Sequence, residues 1–102
     1  MNNLHSFKLI DGDFTPNEAG TVLLDLINSK IKYHNLEVLN CHETGLSDAF
    51  HSLKRIEELE AVRQSVKELL HFASNNGMYL KVKGSIEVEL VSIPVLSALN
   101  LE

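Results

Sequence analysis

The amino-acid sequence predicts an α+β fold: a helical hairpin packed on a small antiparallel sheet, in the order β-α-α-β-β. Three observations predict it. Residues 46–77, LSDAFHSLKRIEELEAVRQSVKELLHFASNNG, hold apolar side chains at helical steps and end in a stop signal. Residues 15–18, Thr-Pro-Asn-Glu, open a second stripe of the same period with the chemistry of a helix start. After Gly77 the apolar period shortens to two, as a half-buried sheet requires.

At 102 residues the chain is expected to form a single domain, 1–102, around one core. A hydrophobic content of 44% and a charged content of 23% are ordinary for a globular protein and argue against disorder. Net charge is −5, which repels phosphate backbones and removes the usual driver of nucleic-acid binding. The aromatics are two Tyr and four Phe with no Trp, too few for a base-stacking platform, and Lys81 with Lys83 make too small a basic patch. No stretch has the length of a membrane span, and MNNLHSFKL has no charged leader followed by an apolar run, so neither membrane nor secretion is expected. One cysteine cannot form an internal disulfide, which fits a reducing cytoplasm. Leu101-Glu102 has the composition of a tag junction and carries no weight here.

The elements follow in order. Residues 4–10, LHSFKLI, read as a short strand with apolar side chains on both faces, and Asp11-Gly12-Asp13 as a turn. Thr15 then fits an N-cap, Pro16 the first helical position and Glu18 the third, completing a capping box; Phe14 is placed to staple Ala19. Ala19, Val22, Leu23, Leu26, Ile27 and Ile31 continue the helix, firm over 16–33, with 34–39 open between helix and irregular structure. Gly20 inside it costs about 1 kcal/mol against Ala unless a neighbour comes close. Residues 40–45 connect to the long helix, and a short link between successive helices makes an antiparallel hairpin.

The long helix carries Leu46, Phe50, Leu53, Ile56, Leu59, Val62, Val66, Leu69 and Ala73 as its expected inward stripe, and Gly77 suits the left-handed residue that closes a last turn. The steps in that stripe run 4, 3, 3, 3, 3, 4, 3, 4, without the sustained alternation of a coiled coil. Beyond it, Met78, Leu80, Val82, Ile86, Val88 and Leu90 share one parity, while Tyr79, Lys81, Lys83, Ser85, Glu87 and Glu89 hold the other. That pattern suits one long strand or a hairpin turning at Lys83-Gly84-Ser85. A three-residue turn sets Lys81 opposite Glu87 and Leu80 opposite Val88, so register favours the hairpin. Residues 92–100 are apolar enough to dock.

A helix of about 29 residues spans roughly 43 Å at 1.5 Å per residue. A compact domain of this size is only about 34 Å across. The overhanging helix and the open edges of a small sheet point to a homodimer.

Four patterns of chemistry stand against simpler readings. Lys8-Leu9-Ile10-Asp11-Gly12-Asp13-Phe14-Thr15 resembles the first motif of haloacid-dehalogenase-type phosphatases, which implies Asp11 as nucleophile, Asp13 as acid/base and Mg²⁺ between carboxylates. The resemblance covers eight residues, and the parallel sheet, later Lys and later acidic pair of that family have no room in this chain. The same segment spaces Asp11, Asp13, Thr15 and Asn17 like a calcium loop, but has Pro16 and Val22 where such a loop needs Gly and Glu. His34, Cys41 and His42, with His51, are soft-metal ligand types, yet adjacent Cys41-His42 lacks the spacing of a zinc hook. Ser47, Asp48 and His51 lie within one helical turn but lack an oxyanion site.

At the level of the N-terminal third, LIDGDFTPNEA and LINSKIKYHNLE resemble small bacterial proteins of unknown function, which implies a bacterial cytoplasmic protein and carries no activity or site residues with it. The expectation is therefore a small non-enzymatic homodimeric module that binds another protein, with no cofactor. Its interaction residues are Tyr79, Lys81, Glu87 and Glu89 on the wet sheet face. The alternative is a metal- or ligand-binding domain using His34 and the Cys41/His42 loop.

Overall fold

The structure is a computed structural model and describes residues 3–40 and 46–93. Four elements follow in the order β1 (Leu4–Phe14), α1 (Pro16–Leu39), α2 (Leu46–Asn75) and β2 (Leu80–Glu89). The fold is α+β, with a two-stranded antiparallel sheet of β1 and β2. The chain divides into two compact units, Met1–Gly12 with Val82–Glu102, and Asp13–Lys81.

In the first unit the strands run in opposite senses. Leu90 N–H donates to the Asn3 carbonyl at 2.9 Å, and Ile10 lies 3.9 Å from where a Cβ on Gly84 would stand. Moving forward along β1 thus moves backward along β2. Two expectations are corrected here. Asp11-Gly12-Asp13 belongs to strand β1 rather than a turn, with Gly12 and Phe14 half-buried and Asp11 and Asp13 exposed in period two. Residues 80–89 form one strand rather than a hairpin, so a fifth element is absent among the described residues. The physical reason is that the apolar parity runs unbroken through Gly84, and an eleven-residue β1 offers a partner along the whole length.

The second unit is a helical hairpin. The capping box forms as its residues predict: Glu18 N–H donates to Thr15 Oγ1 at 3.2 Å, and Thr15 N–H to Glu18 Oε1 at 2.9 Å. Helix α1 runs on to Leu39, taking in residues 34–39. At the far end of α2, Gly77 has φ +62°, and Met78 N–H donates to the Ala73 carbonyl at 2.9 Å, the long bond of a Schellman closure.

Three contacts fix how the helices pair. Ser52 meets Glu37, Arg63 Nη1 donates to Asn28 Oδ1 at 2.7 Å, and the site of a Gly20 Cβ lies 3.3 Å from Leu70 Cδ1. The residue numbers rise on one helix as they fall on the other, so the hairpin is antiparallel in one register. Gly20 has its reason in that close approach.

The stripe of α2 that faces inward is not the expected one. Covered positions are Ala49, Ser52, Ile56, Leu59, Arg63, Val66, Leu70 and Ala73, stepping strictly 3, 4, 3, 4, 3, 4, 3. That is the repeat of a coiled-coil seam. Ile56, Leu59, Val66 and Ala73 belong to both stripes. Phe50, Leu53, Val62 and Leu69 yield their places to the neighbours Ala49, Ser52, Arg63 and Leu70. At Ala49 and Ser52 small side chains let the axes approach while larger neighbours turn outward: Phe50 is 71% exposed and Leu53 53%. The core is correspondingly lean, with Ile31, Ile56 and Leu59 at its centre and Ile27 and Val38 packed on it.

Candidate functional site

Near the closed end of the hairpin a polar cluster interrupts this seam. His34 is buried on α1 at 8% exposed, and Ser52 is buried opposite on α2 at 3%. Glu37, one turn after His34, joins them. Its Oε1 lies 2.9 Å from His34 Nδ1 and accepts a 3.0 Å bond from Ser52 Oγ, while Oε2 accepts from Tyr33 O–H at 3.4 Å. Tyr33 sets its ring edge-on to His34 at 5.2 Å and carries Lys30 Nζ over its face at 4.7 Å.

The carboxylate can only accept, so His34 donates from Nδ1, and the neutral form of the ring leaves its lone pair at Nε2. Nε2 is buried and has no hydrogen-bond partner among the described residues. An imidazole fixed through one nitrogen by a carboxylate, with the other nitrogen open, is the form that accepts a donor or a cation. The bond from Ser52 is the chief cause that holds the Glu37 carboxyl below its usual range. Partial burial pushes the other way, and the bond and charge of His34, then the Tyr33 hydroxyl, lower it further.

That direction has a consequence for stability. A carboxyl lowered in the folded state contributes stability above its unfolded pKa, and the contribution is lost as pH falls through the folded value. The thermal midpoint of the wild type should therefore exceed that of Glu37→Gln at neutral pH, and the gap should close as pH drops below the ordinary carboxylate range. Melting curves from neutral to acidic pH check this; a gap that stays constant would remove the role given to Glu37.

The residues singled out from sequence are dispersed. Tyr79, Lys81, Glu87 and Glu89 are exposed, the last three on one face of β2. Asp11 is exposed and meets Lys8 Nζ at 3.4 Å; Asp13 is exposed on the same strand, as an alternating wet face requires. His34 is in the hairpin seam, and His51 is exposed. Cys41 and His42, the side chains of Ser47 and Asp48, and the tail from Pro94 lie outside the described residues. Among the described residues no three of His, Cys, Asp and Glu come together to hold a metal, and no helix is long and apolar enough to cross a membrane.

Glu37 and Ser52 were not singled out from sequence. They are 15 residues apart and meet only through the hairpin, with no local pattern to mark them. A second feature is an open groove of about 620 Å³ between the start of α1 and the end of α2, lined by Asn17, Thr21, Asp25, Lys67, His71 and Ser74 among others. Comparison with protein-family models, with curated proteins and with solved structures returns no match.

Proposed function

We propose that the chain is a small, non-enzymatic, homodimeric interaction module of a bacterial cytoplasm that acts by binding another protein. The observation that carries this reading is where the large apolar side chains of the hairpin lie. No large side chain among the described residues is fully buried, while Phe50, Leu53, Leu69, Phe72, Leu26 and Tyr33 are each more than half exposed. Large apolar side chains left in water along the hairpin support an interaction surface there. The length of α2, 30 residues or about 45 Å, supports a second copy for the same reason. The single cysteine and the N-terminal resemblance support the cytoplasmic bacterial setting.

Native mass spectrometry of the untagged chain tests it. The expected result is a mass of two chains with nothing added. A monomer throughout the micromolar range would overturn the reading.

One observation favours a second reading, a metal- or small-ligand-binding domain: the open, buried Nε2 of His34. Stoichiometric zinc carried by the wild type and lost in His34→Gln would put that reading first. Zinc-free protein whose hairpin melts as before would leave His34 a packing residue.

A further inference from the structure

The free edge of β2 carries a pattern that is complementary to itself. β1 is the only neighbour of β2 among the described residues. Leu90 N–H points to β1, and along an antiparallel strand successive residues point their backbone groups to opposite sides. Leu90 directly follows β2, and that alternation carried back along Leu80–Glu89 assigns the N–H and C=O groups of Lys81, Lys83, Ser85, Glu87 and Glu89 to the open edge. Their side chains share the wet face, and all five residues are exposed.

Read outward from Ser85, that face runs Lys83 and Lys81 in one direction and Glu87 and Glu89 in the other. The charge inverts about one residue. An antiparallel copy of the same strand, with the two-fold axis at Ser85, sets Lys83 against Glu87 and Lys81 against Glu89, each twice. The other face matches as well. Val82 meets Val88, Leu80 meets Leu90, and Ile86 fills the space beside Gly84.

We infer that the homodimer forms by antiparallel pairing of β2 with β2 of a second copy about Ser85, joining the two ribbons into one four-stranded sheet. The inference rests on the homodimer reading above and adds the surface and the register. A two-stranded ribbon is marginal in water, whereas three or more strands with an apolar face are stable, so pairing supplies what each ribbon lacks. Other registers fit less well. Centring on Gly84 keeps only the Lys81–Glu87 pairs, and centring on Ile86 keeps only Lys83–Glu89. Parallel pairing in register stacks like charges. The edge of β1 offers no such symmetry, since its Lys8 and Asp11 already meet each other at 3.4 Å. The charges that suggest a hairpin within one chain, Lys81 facing Glu87 across a turn, thus find opposite partners between chains once residues 80–89 run straight, Lys81 at Glu89 and Lys83 at Glu87.

The test uses the full chain with two variants, Lys83→Glu and Glu87→Lys. Alone, each places two like-charge pairs across the axis and should weaken dimerisation roughly tenfold or more. Mixed in equal amounts, they should recover wild-type affinity as a one-to-one heterodimer, because each acidic strand then faces a basic one. Recovery on mixing also shows that both variants fold. If the wild type is a dimer but neither variant weakens it, or mixing restores nothing, the β2 pairing is wrong while the dimer stands. If the wild type is a monomer, both fall. Ser85→Cys in a Cys41→Ser background adds an independent readout. Paired residues on the axis lie about 5.5 Å apart at Cα, within disulfide reach, so mild oxidation should link two chains. Absence of the link in a wild-type-like dimer would overturn the register.

Discussion

Leu59→Ala is expected to destabilise the protein by about 2–5 kcal/mol, whereas Leu53→Ala, six residues earlier on the same helix, should stay within about 0.5 kcal/mol of wild type. Both are leucines on α2, and both belong to the apolar pattern visible in the sequence. They differ in what surrounds them. Leu59 is 7% exposed and shares the centre of the hairpin with Ile31 and Ile56, so truncation leaves a hole that its neighbours must close. Leu53 is 53% exposed, and its loss removes little that was sheltered from water. Chemical denaturation followed by helical circular dichroism, at fixed protein concentration, measures both. Equal losses would mean that α2 is rotated by about one residue from the orientation described, with Phe50 and Leu53 in the seam.

Gly77→Val is expected to cost about 1–2 kcal/mol, because its φ of +62° lies in the left-handed region where a Cβ crowds the following carbonyl. Gly77→Asn should cost less, since Asn tolerates that region. The contrast isolates the backbone. No atom lies within 4 Å of a Cβ built on Gly77, so neighbouring side chains impose no penalty of their own. The loss should appear in thermal or denaturant unfolding of the hairpin. Valine and asparagine equally tolerated would show that α2 ends without the Schellman closure.

The helix ends were the most legible part of the chain. Thr15, Pro16 and Glu18 lie within a stretch of four residues, and Ala73, Gly77 and Met78 within six, so their hydrogen bonds depend on local geometry alone. The alternation of residues 80–89 was legible as sheet for the same reason. What it pairs with was not. A continuous parity suits a straight strand and a tight hairpin alike, and the choice depended on β1 being long enough to serve as partner. β1 gained that length from Asp11-Gly12-Asp13, residues whose local preference is a turn but whose backbone groups have sheet partners available.

The candidate site was less legible. His34 drew notice as a ligand type, but Glu37 and Ser52 did not, since nothing within one turn of Ser52 marks it as the donor to a carboxylate on another helix. The inward face of α2 shows the same limit. Local pattern alone makes 46–75 helical, gives it apolar side chains at helical spacing, and ends it at Gly77. Which of two overlapping stripes turns inward was decided by packing: opposite α1, Ala49 and Ser52 are small enough to let the two helices close, while Phe50 and Leu53 would hold them apart. Periodicity records hydrophobicity, and the seam between two helices is set by volume and by the register that polar pairs such as Arg63–Asn28 impose.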